Sequence, residues 1–186
     1  MDLVTLTPVK VADTMPGMAT HEARTRRWTR IEYEKLIDLG IFRPGESIEL
    51  IGGELIVAEP QGALHYTAVL KTARALEVVF GAGWVVRTQG PIGLDDDSEP
   101  EPDVAVVRGS LEDYCVAHPS RPALTVEVAE SSLDIDRVLE VYREPAADPS
   151  SPFGWRYGRR EIVRPPGEVR PLAMPSAAIR VTDLLP

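Results

Sequence analysis

The amino-acid sequence predicts a mixed α/β (α+β) fold, in which a mixed β-sheet is flanked by helices and the C-terminal part is rich in strands. Three observations lead to this prediction. Apolar residues recur with a helical period between residues 64 and 80, two β-rich runs flank a Gly-Gly pair, and several short β-branched runs are bounded by Pro or Gly. A chain of 186 residues is long enough for one domain with a substantial core.

The composition narrows the class of protein. The chain has 20 Lys and Arg against 29 Asp and Glu, a net charge of −9, which argues against a protein that coats nucleic acid through bulk charge. No apolar run approaches the roughly 20 residues of a membrane helix, and residues 1–21 show no secretory signal, so a cytoplasmic location is expected. Cys115 is the only cysteine, which excludes an intramolecular disulfide, and we expect it to be partly buried.

The N-terminal part is predicted to contain an arm and a short helix. Residues 1–27 mix Pro, Gly, Thr and Met without a period and form a predicted flexible arm, so a single folded domain is expected over residues 28–186. Thr29 and Glu32 have the spacing of a capping box, which predicts a helix over residues 30–39.

The next segments predict a hairpin, a long helix and a series of strands. Gly52-Gly53 within residues 47–59 is a strong signal for a tight hairpin. The helix over residues 64–80 should bury a stripe that consists of Tyr66, Val69, Ala73, Leu76 and Phe80. Strands are predicted at 84–89, 103–107, 123–128, 138–143, 155–157, 161–163 and 179–181, the last four separated by proline-rich turns.

Carboxylates are concentrated in one short segment. Six lie between residues 95 and 103 with no basic residue among them. Asp103 differs from the others because it opens an apolar strand, where its carboxylate would be partly desolvated and would need a partner such as a hard cation. The other five are expected in a solvated acidic loop: Asp95, Asp96, Asp97, Glu99 and Glu101.

Glu127 is the second candidate ligand. It lies within the apolar run at 124–128, where a buried glutamate requires pairing or coordination. If its strand lies beside the one that Asp103 opens, the two carboxylates could share one divalent ion. Alternation along the strand could instead place Glu127 on a solvent-facing side, and the sequence leaves this alternative open.

Other polar residues are weaker candidates. Glu49 and Glu54 lie in the predicted hairpin, and each could face the same site or solvent. His65, at the start of the long helix, could bind a phosphate or an ion but is more typical of a surface residue at a helix end. Ser131 and Ser132 have no histidine with a supporting acid to activate them, so turn or cap formation is expected.

The ordered set of motifs resembles one family. Its parts are Ile48–Glu54, the helix beginning at His65, Pro91–Leu94, Ser98–Asp103, Val126–Ser132 and Asp136-Arg137. Together they resemble the Uma-two (Uma2) family of "putative restriction endonucleases", which has the PD-(D/E)XK nuclease fold. The resemblance covers about residues 28–143, with a weaker match in the proline-rich tail.

This resemblance implies a function and a set of site residues. Asp103 matches the Asp of the nuclease motif and Glu127 its acidic partner, both as metal ligands, and Glu49 matches a hairpin acid that completes the catalytic set. The implied chemistry is hydrolysis of DNA phosphodiester bonds with Mg²⁺ or Mn²⁺ as cofactor. Further accessory candidates are Glu54, His65 and Arg137.

The chain departs from the family at the catalytic lysine. In the nuclease motif a lysine follows the acid by two positions, where this chain has Ala129, and similar family members carry a lysine on a helix after the Asp-Arg pair. Here Asp136-Arg137 runs directly into the predicted strand at 138–143, so that helix and the core strand after it are expected to be deleted. Arg137 stays protonated and cannot act as a base. The three lysines of the chain lie elsewhere, at Lys10, Lys35 and Lys71.

The sequence therefore leaves two functions open. One is a metal-dependent DNA endonuclease that is impaired by loss of the lysine. The other is a non-catalytic remnant of the nuclease fold that binds a metal or a partner, with self-association as one way to cover an exposed sheet edge. An unrelated β-rich metal-binding protein would fit the acidic residues but not the ordered motifs.

Overall fold

The structure, a computed structural model, describes residues 25–58, 60–128, 138–151 and 154–186. Most of the predicted N-terminal arm lies outside these ranges. So do five residues named above: Ala129, Ser131, Ser132, Asp136 and Arg137. The elements in chain order are α1 (Arg30–Asp38), β1 (Ile48–Ile51), β2 (Glu54–Val57), α2 (Ala63–Phe80), β3 (Trp84–Thr88), β4 (Val104–Arg108), a 3₁₀ turn (Leu111–Tyr114), β5 (Leu124–Val126), β6 (Leu139–Ala147), β7 (Trp155–Val163), β8 (Glu168–Val169), β9 (Ile179–Arg180) and α3 (Val181–Leu184).

Small antiparallel sheets and helices make up the described part of the chain. The central sheet has the order β3-β4-β5, and three two-stranded sheets are formed by β1-β2, β6-β7 and β8-β9. This confirms the predicted α/β class with a strand-rich C-terminal part. All the strand pairs in the described ranges are antiparallel. The parallel pairs that a mixed sheet would also contain are not observed in these ranges.

The main core lies between α2 and the central sheet. Val69, Leu76 and Phe80 pack with Val104 and Val106 of β4. The stripe was predicted correctly except for Tyr66, which is 54% exposed. Tyr66 lies in the first turn of α2, where the buried side of the helix is formed instead by His65, Ala68 and Thr72.

The predicted capping box and hairpin turn are confirmed. Thr29 caps α1, and the capping box with Glu32 is present in both directions. The hairpin turn consists of Gly52 and Gly53, whose φ angles are 54° and 79°. Positive φ at both central positions matches the twist of the flanking strands and favours glycine.

Thr29→Ala is expected to lower the free energy of unfolding by about 1 kcal/mol, because a backbone N–H in the first turn of α1 loses its side-chain acceptor. Urea unfolding followed by circular dichroism measures the change. Glu32→Gln keeps a side-chain oxygen in the capping box and should lose less. An unchanged urea midpoint in Thr29→Ala would contradict the prediction.

Two predictions outside the core are wrong, namely that 155–157 and 161–163 are separate strands and that Cys115 is partly buried. The runs 155–157 and 161–163 form one strand, β7, because Gly158 is accommodated opposite Glu144, where a Cβ would lie 3.3 Å from the Glu144 carbonyl oxygen. The strand predicted at 179–181 is present as β9, which ends at Arg180 because α3 begins at Val181. Cys115 is exposed because it follows the 3₁₀ turn at the surface.

Within the described ranges, no helix is long and apolar enough to cross a membrane.

Candidate functional site

The structure brings Asp103 and Glu127 together at one end of the central sheet. Strands β4 and β5 pair with Val104 opposite Val126, and continuing this register by one residue places Asp103 opposite Glu127. The Asp103 backbone N–H lies 3.5 Å from Glu127 Oε2. Glu127 follows the last residue of β5 rather than lying in the middle of that strand, so its side chain is at the sheet end.

The Asp103 carboxylate is held in a fixed orientation. The residue is only 6% exposed. Its Oδ1 lies 3.0 Å from His65 Nε2 and accepts a hydrogen bond from Gln61 Nε2 at 3.3 Å. Its Oδ2 accepts a hydrogen bond from the Val128 backbone N–H at 2.8 Å. A carboxylate oxygen has two lone pairs, so Oδ1 is fully used by His65 and Gln61, whereas Oδ2 retains one lone pair for a cation.

His65 is not the surface residue that the sequence suggested. It is 7% exposed, and its ring contacts the buried Asp103 carboxylate, which offsets the desolvation of both groups. The N-terminal end of α2 also favours a nearby negative charge through the helix dipole. Residue 65 is four positions before Val69 and therefore lies on the same face of α2. The helical period could have predicted that His65 is buried.

The Glu127 carboxyl group has an altered affinity for protons. Desolvation and the neighbouring Asp103 charge raise its pKa to about 7, although a hydrogen bond from the Asp103 backbone acts in the opposite direction. The residue as a whole is exposed, and the desolvation acts on its carboxyl group beside Asp103. Two carboxylates that repel each other in this way form a site that a cation would stabilise.

The two hairpin acids have different positions. Glu49 is half-buried, and its Oε2 accepts a hydrogen bond from the Glu101 backbone N–H at 3.1 Å. Its charge also contributes to the raised pKa of Glu127. Glu54 is exposed and lies 3.9 Å from Arg27 in an ion pair. The structure therefore brings Glu49 close to the acidic pair, whereas Glu54 pairs outside that group.

The acidic loop is less solvated than expected. Asp95 and Asp96 are exposed as predicted, but Glu101 is half-buried and Glu99 is only 2% exposed. Burial and the charge of Glu34 raise the pKa of Glu99. Burial, together with the Glu49 charge, also raises the pKa of Glu101.

Backbone hydrogen bonds explain why the loop is drawn inward. The Glu99 N–H donates to the Leu50 carbonyl at 2.7 Å, and the Gly53 N–H donates to the Asp97 carbonyl at the same distance. The Arg30 N–H, at the start of α1, donates to the Asp96 carbonyl at 2.7 Å. Charge density alone predicted a solvated loop, and it gave no sign of these contacts with the hairpin and α1.

The donor set fits a magnesium or manganese ion in part. Among the described residues, no group of three His, Cys, Asp or Glu side chains is arranged to hold a metal ion. Asp103 and Glu127 nevertheless supply two adjacent hard oxygen ligands. Mg²⁺ is commonly held by one or two carboxylates, with water and substrate phosphate as the other ligands, so this pair is compatible with such an ion.

Glu127→Gln is expected to flatten the pH dependence of stability. A pKa raised from 4.5 to about 7 means that the folded chain binds more protons than the unfolded chain between these values. The contribution of Glu127 is therefore greatest below its unfolded pKa and is lost as the pH rises through its folded pKa. In urea unfolding, the variant should match the parent at about pH 4 and exceed it at about pH 8. Parallel pH profiles would refute this assignment.

Comparisons with known proteins agree with this architecture. The chain is similar to the crystal structure of "a putative nuclease belonging to DUF820" from Anabaena variabilis, with 17% sequence identity and a TM-score of 0.58 over 84% of this chain and 96% of that chain. At this identity the likeness shows a shared fold. No curated protein matches the chain.

A family model covers most of the sequence. The Uma2 model, which is described as "Putative restriction endonuclease", matches residues 31–161. The match includes the three strands of the central sheet, the flanking acids Asp103 and Glu127, the hairpin and α2. It extends over more than two thirds of the chain, and the chain therefore belongs to the Uma2 family.

Proposed function

We propose that this chain is a divalent-metal-dependent DNA endonuclease, with Asp103 and Glu127 as metal ligands and Glu49 as the third catalytic acid. The observation that carries the proposal is the placement of Asp103 and Glu127 side by side at the end of the central sheet. The family description and the nuclease-like fold support the same reaction class. DNA as substrate also agrees with the expected cytoplasmic location.

The residues around the acidic pair each have a specific role in this proposal. His65 and Gln61 hold Asp103 Oδ1, and the Val128 N–H holds Oδ2, so the carboxylate is pre-oriented. A divalent ion held by Asp103 and Glu127 would polarise a phosphate and lower the pKa of bound water. Glu49 fixes the backbone N–H of Glu101 and contributes negative charge near Glu127.

The proposal includes a lowered catalytic rate, because the two lysines of the described residues, Lys35 and Lys71, have other positions than beside the acidic pair. Lys71 lies in α2 and donates a hydrogen bond to the Leu185 carbonyl near the chain end. Lys35 is exposed in the last turn of α1. Residues 129–137, which include Arg137 and the proposed deletion point, lie outside the described residues.

Nicking of supercoiled plasmid DNA tests this function. We expect slow conversion to the open circle with Mg²⁺ or Mn²⁺ and no conversion in excess EDTA. Ca²⁺ serves as a matched divalent control because its longer, flexible coordination supports binding better than it supports in-line hydrolysis. Absence of nicking with every ion would refute the endonuclease proposal.

A non-catalytic remnant is the second candidate, and the missing lysine is the observation that favours it. In that case Mg²⁺ would raise the melting temperature through the Asp103–Glu127 pair without any nicking. Self-association of the chain, detectable as a concentration-dependent mass in light scattering, belongs to the same proposal.

A further inference from the structure

The hairpin of β6 and β7 is set apart from the central sheet. Its strands pair from Leu139 opposite Val163 to Ala147 opposite Trp155, with one interruption at Glu144, and within the described ranges neither strand pairs with another. Nine residues in each strand give a ribbon about 30 Å long. Leu139, at the base, packs against the main core. We call residues 139–151 and 154–164 the arm, which is distinct from the N-terminal segment of residues 1–27.

The arm has a charge opposite to that of the whole chain. It contains five arginines and four acidic residues, a net charge of +1, whereas the chain carries −9. The asymmetry is sharper in residues 155–164, which contain four arginines and one glutamate. Positive charge concentrated on one element of an acidic protein indicates a polyanionic partner for that element.

The register places like charges opposite each other. Arg143 pairs directly with Arg159 across the two strands, an arrangement that is unfavourable in a free hairpin. Arg143 donates to the Arg170 carbonyl at 2.8 Å, and Arg159 lies 3.1 Å from Glu161 in an exposed ion pair. An exposed ion pair contributes little stability, so the Arg159 guanidinium can exchange Glu161 for a phosphate. The Arg143 guanidinium has five N–H donors, of which the Arg170 carbonyl takes one.

Further groups on the arm suit the same partner. Arg156 is 65% exposed and lies 3.4 Å from Asp148, again in an exposed pair. Tyr142 and Tyr157 are 47% and 57% exposed, and their ring centroids lie 5.3 Å apart. Tyrosine hydroxyls and arginines are common donors to phosphate oxygens. A two-stranded ribbon also has the dimensions that the major groove of a duplex admits.

We propose that the arm binds duplex DNA, with Arg143, Arg156 and Arg159 neutralising backbone phosphates. The inference rests on the proposed function, since that function makes DNA the substrate. It adds an interaction surface that is separate from the acidic pair, and it accounts for how an acidic chain would hold a polyanion.

Fluorescence anisotropy with a labelled duplex of about 30 base pairs in EDTA tests binding without cleavage. Replacing Arg143, Arg156 and Arg159 by Gln should weaken binding about tenfold or more at about 0.1 M salt. The slope of log K against log salt should become less steep by roughly 2 to 3, since each phosphate contact contributes about 0.9. Replacing the same three residues by Lys keeps the charge and should retain most of the affinity. The Lys variant therefore distinguishes a loss of positive charge from a loss of folding as the cause of weaker binding. Circular dichroism verifies that both variants are folded.

The matched control removes three exposed arginines elsewhere, Arg43, Arg74 and Arg121. It changes the net charge equally and should leave the salt slope unchanged. An equal loss in this control, unchanged binding in the arm Gln variant, or no duplex binding by the parent would each overturn the proposal. The proposal would also be overturned if the parent were a dimer and the arm Gln variant a monomer with unchanged DNA affinity. The arm would then bind a second copy of the chain rather than DNA.

The two proposals can fail separately. Nicking by the parent with unchanged binding in the arm Gln variant would refute the arm and leave the endonuclease standing. Arm-dependent binding without nicking would refute the endonuclease and support the arm.

Discussion

Asp103→Asn is expected to reduce metal-dependent plasmid nicking by about 10²-fold or more, because the metal loses its best-oriented carboxylate. The substitution preserves the size of the side chain and removes its charge. The affinity for metal should fall together with activity. If the parent site binds Mg²⁺ with a Kd of about 1 mM, about 10 mM Mg²⁺ stabilises it by about 1.4 kcal/mol, or roughly 3 to 6 °C in Tm. This shift should be absent in the variant.

Asp96→Asn provides the matched control for this experiment. Asp96 lies in the same acidic segment and is exposed, and the structure assigns its backbone carbonyl, rather than its carboxylate, a hydrogen bond from Arg30. The control makes the same change of charge and should keep both nicking and the Mg²⁺-dependent Tm shift. Retention of both properties in Asp103→Asn would remove Asp103 from the metal site. Their loss in Asp96→Asn would point to the overall charge of the loop.

Local signals predicted the elements of this fold well. The capping box at Thr29, the Gly52-Gly53 turn and the period of α2 each depend on interactions within a few residues, so they can be recognised from the sequence. Tyr66 shows the limit of such patterns. A helical period defines a stripe, but only the position of the sheet determines where along the helix that stripe becomes buried.

The candidate site was predicted less completely, because its parts meet through tertiary contacts. The apolar runs beside Asp103 and Glu127 indicated a pair of acids on neighbouring strands, and strand pairing brings them together. The burial of His65 and Glu99 depends on the start of α2 lying over β4 and on the loop being drawn against the hairpin. Charge and composition could not show these contacts, since they join residues 38 and 49 positions apart.

Ala129→Lys is the second prediction with a large expected effect. Position 129 follows Glu127 by two residues, the spacing at which the resemblance to the nuclease motif places a lysine. In the motif that the resemblance implies, the acid and the lysine two residues later share a side, so we expect an ammonium group introduced at this position to act beside the acid. It would stabilise the developing charge on the phosphate and support the attacking water. Nicking should increase by about 10²-fold with Mg²⁺.

Two companion variants determine whether such a gain reflects chemistry at the acidic pair. Ala129→Gln adds a long polar side chain without charge and should leave the nicking rate close to that of the parent. Ala129→Lys combined with Asp103→Asn should be inactive, because the ammonium group cannot replace the metal. If Ala129→Lys shows no gain while the Mg²⁺-dependent Tm shift is intact, the missing lysine at this position does not limit the rate. The low activity would then follow from the segment after Arg137, where the resemblance indicates that a lysine-bearing helix has been lost.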